Sequence, residues 1–497
     1  MGRAPSTVGT LGREPLRSPD VVVRAAVQQT KGSPSVPSPL RPITALSAAL
    51  LVLLTSCAAP PTAPESALPL TPPMGWNSWN SGIDLTEQNV EGTIDAMVSS
   101  GMRAAGYRYV NLDAGWDVRR GPDGRLQADP ARFPDGIATL ARYAHDRGML
   151  LGLYASPFNE RCSENPAIAS AGHETVDAQT FAGWGVDYLK YDWCRTETDH
   201  QEEVRVFSAM RDALRASGRR ILYSINPNSS ADRTAGSRYD WSGIADMARA
   251  TADLVPVWHD GLPPLGPFDW FAEGSHLGVP DEFAAAQAVR TPSRPGYWND
   301  ADMLVGGLGW NQFVAAHFAS MRKHLTVGTV RPDQAGELDA MAAMSDGQLT
   351  HLLDTQPNLT EFEQRAHLSL WAMLAAPLLA GNDIRAMTAP TRDMLTNRDV
   401  IAVDQDPKVE PAHSLPADPR VLVKALDDGA VAVAFVNSSE APATMSTNAT
   451  TTDLPPVSCY TVKDLWSHDE TTTAGAVTSG VLPPHAVALL RITPKCR

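Results

Sequence analysis

YLKYDWCRTETDHQEEVRVFSAMRDALRASGRRILYSIN (188–226) holds two short apolar and aromatic runs, YLKYDW (188–193) and ILYSIN (221–226). Between them lies an amphipathic, helix-like stretch, Gln201–Ser217. Strand, helix, strand is the repeating unit of a parallel sheet with helices packed outside it. The pattern continues in both directions. Upstream stand MGWNSW (74–79), YRYVNLD (107–113) and LLGLYA (150–155), with a second helix-like stretch at Glu87–Ala104. Downstream stand ARATAD (248–253), GYWNDADM (296–303) and PLLAGND (377–383). Eight such runs predict an α/β fold, a (β/α)8 TIM barrel. A doubly wound open sheet is the alternative, but no GxGxxG follows any of the runs.

Polar residues gather near the C-terminal ends of these runs: Asp113, Asp192, Asn226, Asp253, Asn299 and Asp383. Any one of them alone reads as a strand cap or turn former. Together they mark the barrel end that carries active sites. Past about residue 408 the helical pattern stops. RVLVKAL (420–426), AVAVAFVN (430–437) and AVALLRI (486–492) read as strands separated by Thr- and Pro-rich turns, a C-terminal antiparallel β-sandwich. Cys459 and Cys496 both fall in this part and could pair.

The chain has 497 residues, 43% hydrophobic and 20% charged. That excludes a disordered, collagen-like or coiled-coil chain and is enough for a large core. Its 41 basic and 56 acidic residues give −15, which argues against a nucleic-acid or anionic-membrane partner. Residues 1–42 are polar and rich in Pro, Ser and Arg. Arg41 then precedes a short apolar run, Ile43 to Leu54, too short to span a bilayer but laid out like a signal peptide. The run ends Leu54-Thr55-Ser56-Cys57, which resembles the lipobox of bacterial lipoproteins, with Cys57 as the lipidated residue. Residues 1–57 thus read as leader plus signal, and 58–69 as a Pro-rich tether. A lipid anchor would be the one membrane contact, and the expected place is extracellular or cell-surface. Disulfides persist there, and Cys57 accounts for the odd one among five cysteines.

No HExxH, GxSxG, phosphate loop, CxxC or clear His/Cys metal cluster is present. The barrel runs do carry many carboxylates with Trp76, Trp79, Trp116, Trp193 and Trp298. Carboxylates accept from sugar hydroxyls, aromatic faces pack on sugar C–H groups, and glycosidic cleavage needs one ionised and one protonated carboxyl. A divalent-metal site is the alternative, but these acids are scattered over many strand ends rather than set in one dense loop.

TPPMGWNSWN (71–80), DAQTFAGWGVDYLKYDWC (177–194), YWNDADML (297–304), SLWAMLAAPLLAGNDIR (369–385) and VIAVDQDP (400–407) resemble glycoside hydrolase family 27. That family comprises the α-galactosidases, α-N-acetylgalactosaminidases and a few relatives. The likeness covers roughly residues 70–407 and, more weakly, DLWS (464–467) and LPPHAVALLRI (482–492). It implies a retaining enzyme acting on galactose-containing oligo- or polysaccharides, without metal or organic cofactor. The KYDxC aspartate, Asp192, would be the nucleophile, with Lys190 on the sugar hydroxyls. Arg249 and Asp253 fit a sugar-binding arginine followed four residues later by the acid/base. Trp79, Asp113 and Tyr154 match the sugar subsite, and Trp298, Asp300 and Asp302 match the WNDPDML motif. Cys162 and Cys194 match a family disulfide. Retention implies carboxyl groups roughly 5–5.5 Å apart.

The chain departs from the family in four places. The usual Asp-Asp pair after strand two is Asp113-Ala114. Asn226 stands where an acid is expected near the sugar C2 substituent, and Trp193 where several members have glycine. About residues 309–358 read as an insertion in the 70–407 barrel. β-L-arabinopyranosidase and isomaltose-releasing dextranase activities therefore stay open. A non-catalytic sugar-binding lipoprotein would not need both Asp192 and Asp253.

Overall fold

The computed structural model describes residues 70–158, 162, 165–230, 232–259, 276–316 and 357–495. The leader, Cys57 and the tether lie outside the described residues, as do Cys496 and most of the expected insertion.

Eight parallel strands form the sheet: β1 (Met74–Asn77), β2 (Tyr109–Leu112), β3 (Leu150–Ala155), β4 (Tyr188–Asp192), β5 (Leu222–Asn226), β6 (Met247–Arg249), β7 (Trp298–Asp300) and β8 (Leu378–Ala380). Their spatial order is β7-β6-β5-β4-β3-β2-β1-β8. The sheet closes just past β7: Leu304 pairs in parallel with Ala380, donating to the Leu379 carbonyl at 2.7 Å. Helices α1 (Glu87–Ser99), α2 (Ile137–Asp146), α3 (Glu174–Trp184), α4 (His200–Ala216), α5 (Val279–Gln287) and α6 (Glu361–Leu374) follow strands in chain order. This is the expected barrel. The helix expected over 87–104 is divided: α1 ends at Ser99, Gly101 takes a left-handed φ of 92°, and a separate turn runs Met102–Ala105. Glycine takes that φ at little steric cost.

Period-two alternation sorts the side chains. Tyr109, Tyr188, Leu222, Met247, Trp298 and Leu379, from six strands, share one apolar cluster separate from the larger cluster that packs helices on strands. Two residues further along, five of these strands carry Asn111, Lys190, Ser224, Arg249 and Asp300. A second step of two reaches Asp113, Asp192, Asn226 and Asp302. The alternation thus grades from an apolar plug to a charged rim.

The C-terminal part is the expected β-sandwich. Strands β9 (His413–Leu415), β10 (Asp418–Ala425), β11 (Val431–Val436), β12 (Ala443–Asn448), β13 (Tyr460–Asp464), β14 (Glu470–Thr473), β15 (Ala476–Leu482) and β16 (Val487–Thr493) make two antiparallel sheets. One has the order β9-β10-β11-β16-β13-β14; the other is β12-β15. Val421, Val423, Val433 and Phe435 face β12 and β15 through the sandwich core. Leu422, Ala432, Ala434 and Leu489, on the opposite face, belong to the same cluster as Trp371 and Leu368 of α6. Burial on both faces explains why AVAVAFV is unbroken by polar residues. Within this contact Lys424, fully buried, donates to the Ala372 carbonyl at 2.7 Å, near the C-terminal end of α6.

Candidate active site

Asp192 is the last residue of β4, in parallel register with Asn226 on β5. Lys190 lies two residues earlier on the same inward face. Its Nζ is 2.8 Å from Asp113 Oδ2 and 3.5 Å from Asp192 Oδ2. Asp113 is held from the other side as well. Its Oδ2 accepts from Asn77 Nδ2 at 2.9 Å, and its Oδ1 from the Ala114 N–H at 2.9 Å. Asp192 Oδ1 is buried without a hydrogen-bond partner in the protein. Burial, opposed by Lys190 and then reinforced by Asp113, pushes the Asp192 carboxyl up to about 7.

Arg249 ends β6, and its Nη2 serves three acceptors: the Ala252 carbonyl at 2.6 Å, Asp253 Oδ1 at 2.7 Å and Asp302 Oδ2 at 2.6 Å. Asp253 does not end strand six, as expected from the run 248–253. The strand stops at Arg249, and Asp253 opens a two-residue pairing with His276–Leu277. Its side chain is 54% exposed. Partial desolvation by neighbouring residues works to raise its carboxyl even at this exposure, but Arg249, then His276 and Arg233, outweigh it and hold the group at about 2. Asp302, with φ 71°, is saturated inside the protein: Oδ1 accepts from the Met303 N–H at 2.7 Å, and Oδ2 from the Leu254 N–H at 2.8 Å as well as from Arg249. It therefore fixes both Arg249 and the backbone next to Asp253. Burial pushes Asp302 up to about 6 against the pull of Arg249.

Tyr154 on β3 places its hydroxyl 3.1 Å from Cys194 Sγ, and burial drives its phenol well above its ordinary value. Cys162 and Cys194 form a disulfide. One sulfur of each lies within 4.8 Å of an Asp192 carboxylate oxygen, so the bridge borders the candidate nucleophile. Asn226 is buried, and its Oδ1 accepts from the Asn228 N–H at 3.0 Å.

The tryptophan reading needs correction. Trp79, just past β1, is 39% exposed and faces the rim solvent. Trp76, Trp116, Trp193 and Trp298 are fully buried. Trp298 lies in the apolar plug beneath the charged rim, so it is no platform for a sugar. Trp76 and Trp116 instead donate their indole N–H groups to the Asn382 and Tyr154 carbonyls, which ties neighbouring strand ends together. Asn299 also leaves the rim: its Nδ2 donates to the Thr291 carbonyl at 2.8 Å.

Two contributors were not singled out from sequence. Asn77, which props Asp113, sits inside the MGWNSW run, where its strand-end position was the available signal. Glu282, in the first turn of α5, is fully buried, and its Oε1 accepts from the Thr251 hydroxyl. Burial pushes it well above the carboxylate range even though Arg249 pulls it down. In sequence an acid in a first helical turn reads only as a complement to the helix dipole.

Two carboxylates, each beside a cation, on one barrel rim are the groups that glycoside cleavage requires. The chain matches the family described as Alpha galactosidase A over residues 71–327 and 350–406. It belongs to that family. Residues 416–492 match the alpha-galactosidase C-terminal beta sandwich domain. Alpha-galactosidase A of Cellvibrio japonicus is 34% identical over 381 residues, 74% of this chain and 76% of that protein. The alpha-galactosidase of Cyamopsis tetragonoloba is 33% identical over 87% of this chain and 88% of that one. The crystal structure of alpha-galactosidase I from Mortierella vinacea superposes with a TM-score of 0.65 at 28% identity, over 86% of this chain and 99% of that chain. The unmatched stretch of this α-galactosidase family member, 328–349, falls inside the expected insertion and outside the described residues.

Proposed function

We propose that this enzyme is an exo-acting, retaining α-galactosidase that removes terminal α-D-galactose from oligo- or polysaccharides. The observation that carries the reading is Asp192 and Asp253 on one rim, each beside a cation, Lys190 at 3.5 Å and Arg249 at 2.7 Å. Asp192 attacks the anomeric carbon while Asp253 gives its proton to the departing oxygen, and the glycosidic bond breaks. Water then loses a proton to Asp253 and attacks the same carbon. The Asp192 ester opens, and the sugar leaves with its original configuration.

Without sugar the two acids lean the opposite way from the one the first step needs, since burial raises Asp192 to about 7 and Arg249 holds Asp253 at about 2. Substrate corrects this in two ways. Sugar hydroxyls donating to the unpartnered Asp192 Oδ1 favour its ionised form. A leaving group laid over the exposed Asp253 removes water and favours its protonated form. Catalysis thus begins with binding that transfers the proton preference between the two acids.

Ala114 favours a second sugar reading. Where the family offers two neighbouring carboxylates, this chain has Asp113 alone, with both its oxygens engaged by Asn77, Lys190 and the Ala114 N–H. One acceptor fewer for the C4 and C6 hydroxyls weakens discrimination against sugars lacking C6, such as β-L-arabinopyranosides. A panel of aryl α-galactoside, α-N-acetylgalactosaminide, β-L-arabinopyranoside and dextran separates the readings. Fastest turnover of the α-galactoside supports the assignment. Turnover of only the arabinopyranoside or dextran overturns the sugar and keeps the mechanism.

The Leu54–Cys57 lipobox supports a lipid-anchored place on the outer cell face. Radiolabelled palmitate should enter the full chain and not a Cys57→Ala variant. Equal labelling, or none in either, contradicts anchoring.

A further inference from the structure

Away from the rim, His259, Glu440 and His485 bring one ligand atom each to a common point, all within 4.8 Å of one another. We propose that these three side chains bind a zinc-type divalent cation that fastens the barrel to the sandwich. Glu440 Oε1 lies 3.1 Å from His485 Nε2 and 3.7 Å from His259 Nε2. Ligands about 2.0–2.1 Å from a tetrahedral Zn²⁺ stand roughly 3.3 Å apart along each edge. The two glutamate edges already bracket that value, and the third needs only the exposed His259 to swing inward.

The surrounding groups prepare the site. His485 Nδ1 faces Glu363 Oε1 at 2.6 Å, so the carboxylate takes one ring nitrogen and leaves Nε2 towards the cation. Glu363 is itself fixed: its Oε2 closes the capping box at the start of α6 by accepting from the Thr360 N–H at 2.6 Å. The Trp258 ring stacks on His485 with centroids 4.9 Å apart and planes 16° apart, which sets the imidazole's orientation. His485 is nearly buried, whereas Glu440 is 80% exposed. The open side leaves room for water as fourth ligand. Two imidazoles and one carboxylate suit zinc, while Ca²⁺ and Mg²⁺ prefer all-oxygen sets.

The ligands come from distant parts of the chain. His259 lies a few residues beyond Asp253, Glu440 follows β11, and His485 precedes β16. A bound ion would therefore anchor the segment that carries the candidate acid/base to the sandwich.

The test uses tag-free full-length protein stripped with chelator, titrated with ZnCl₂ by calorimetry and followed by thermal melting. One equivalent should bind, and saturating zinc should raise Tm, because an ion that binds only the folded state stabilises it. Glu440→Gln and His259→Asn, both at exposed positions, should each lose that binding and the Tm rise. Glu363→Gln should weaken zinc roughly 10–100-fold. Co²⁺ in the wild type should give the intense visible bands of a four-coordinate site, absent in Glu440→Gln. Absence of saturable zinc binding overturns the proposal, and so does binding that both variants retain. None of these readouts depends on sugar turnover, so failure here and failure of the α-galactosidase reading are separable.

Discussion

Lys190 Nζ stands 3.5 Å from Asp192 Oδ2, and this ion pair opposes the burial that pushes Asp192 up to about 7. The same ammonium is 2.8 Å from Asp113, so one cation serves two buried carboxylates. Lys190→Met should therefore raise the Asp192 pKa further and move the acid limb of kcat/KM to higher pH, beyond any loss of rate. A pH profile on an aryl α-galactoside checks this. An unchanged limb would mean that Lys190 does not govern Asp192 ionisation.

Asp192→Asn should lower kcat on the order of 10⁶-fold, as expected for loss of a covalent nucleophile. It should also stabilise the fold. The sign follows from the direction of the shift: an acid raised above its ordinary value destabilises the fold where it is ionised. The penalty is absent below the unfolded-state pKa near 4, grows between there and about 7, and is complete above. Melting curves should show the variant above wild type at pH 8, with the gap closing by pH 4.

Asp253→Asn should hurt substrates in proportion to how much their leaving oxygen needs a proton. Galactosides with alcohol leaving groups should lose roughly 10²–10⁴-fold in rate, and activated nitrophenyl galactosides should lose much less at the first step. Comparison of kcat/KM across leaving groups checks it. Equal losses for all would remove Asp253 from the acid role.

Lys424 and Asp404 are buried where the sandwich meets the barrel. Burial lowers Lys424 to about 8, although Asp404 raises it; burial likewise raises Asp404 to about 8, although Lys424 lowers it. Lys424→Met alone takes away the charge that lowers Asp404 and leaves the buried Ala372 carbonyl without its donor, so it should cost about 1–3 kcal/mol in denaturant unfolding. Adding Asp404→Leu should recover part of that loss. Additive losses would show that the two residues do not act as a pair.

The barrel was legible because each strand announces itself as a short apolar run with a polar end, and β3 falls on the expected LLGLYA (150–155). Asp192 and Lys190 were legible through one contiguous motif, in which period two dictates that they face the same way; the Cys162–Cys194 bridge was legible only through the family likeness, because Cys162 lies outside that motif. What failed was context that alternation does not carry. Trp298 and Asp300 occupy the same face of β7, but one step of two separates the apolar plug from the charged rim. Tryptophans near strand ends looked like sugar platforms, yet four of the five are fully buried, Trp298 in the barrel plug and Trp76, Trp116 and Trp193 in the larger core. Asp253 lies beyond its strand because Arg249 and Asp302 hold the following backbone out of the sheet, a tertiary contact between residues far apart in sequence.

The most direct measurement is proton NMR of the first galactose released from an aryl α-D-galactoside, recorded before mutarotation, for wild type and Asp192→Asn. The expected result is α-galactose as the first product of the wild type and no signal from the variant. First release of β-galactose, or undiminished release by Asp192→Asn, would contradict a retaining mechanism through Asp192.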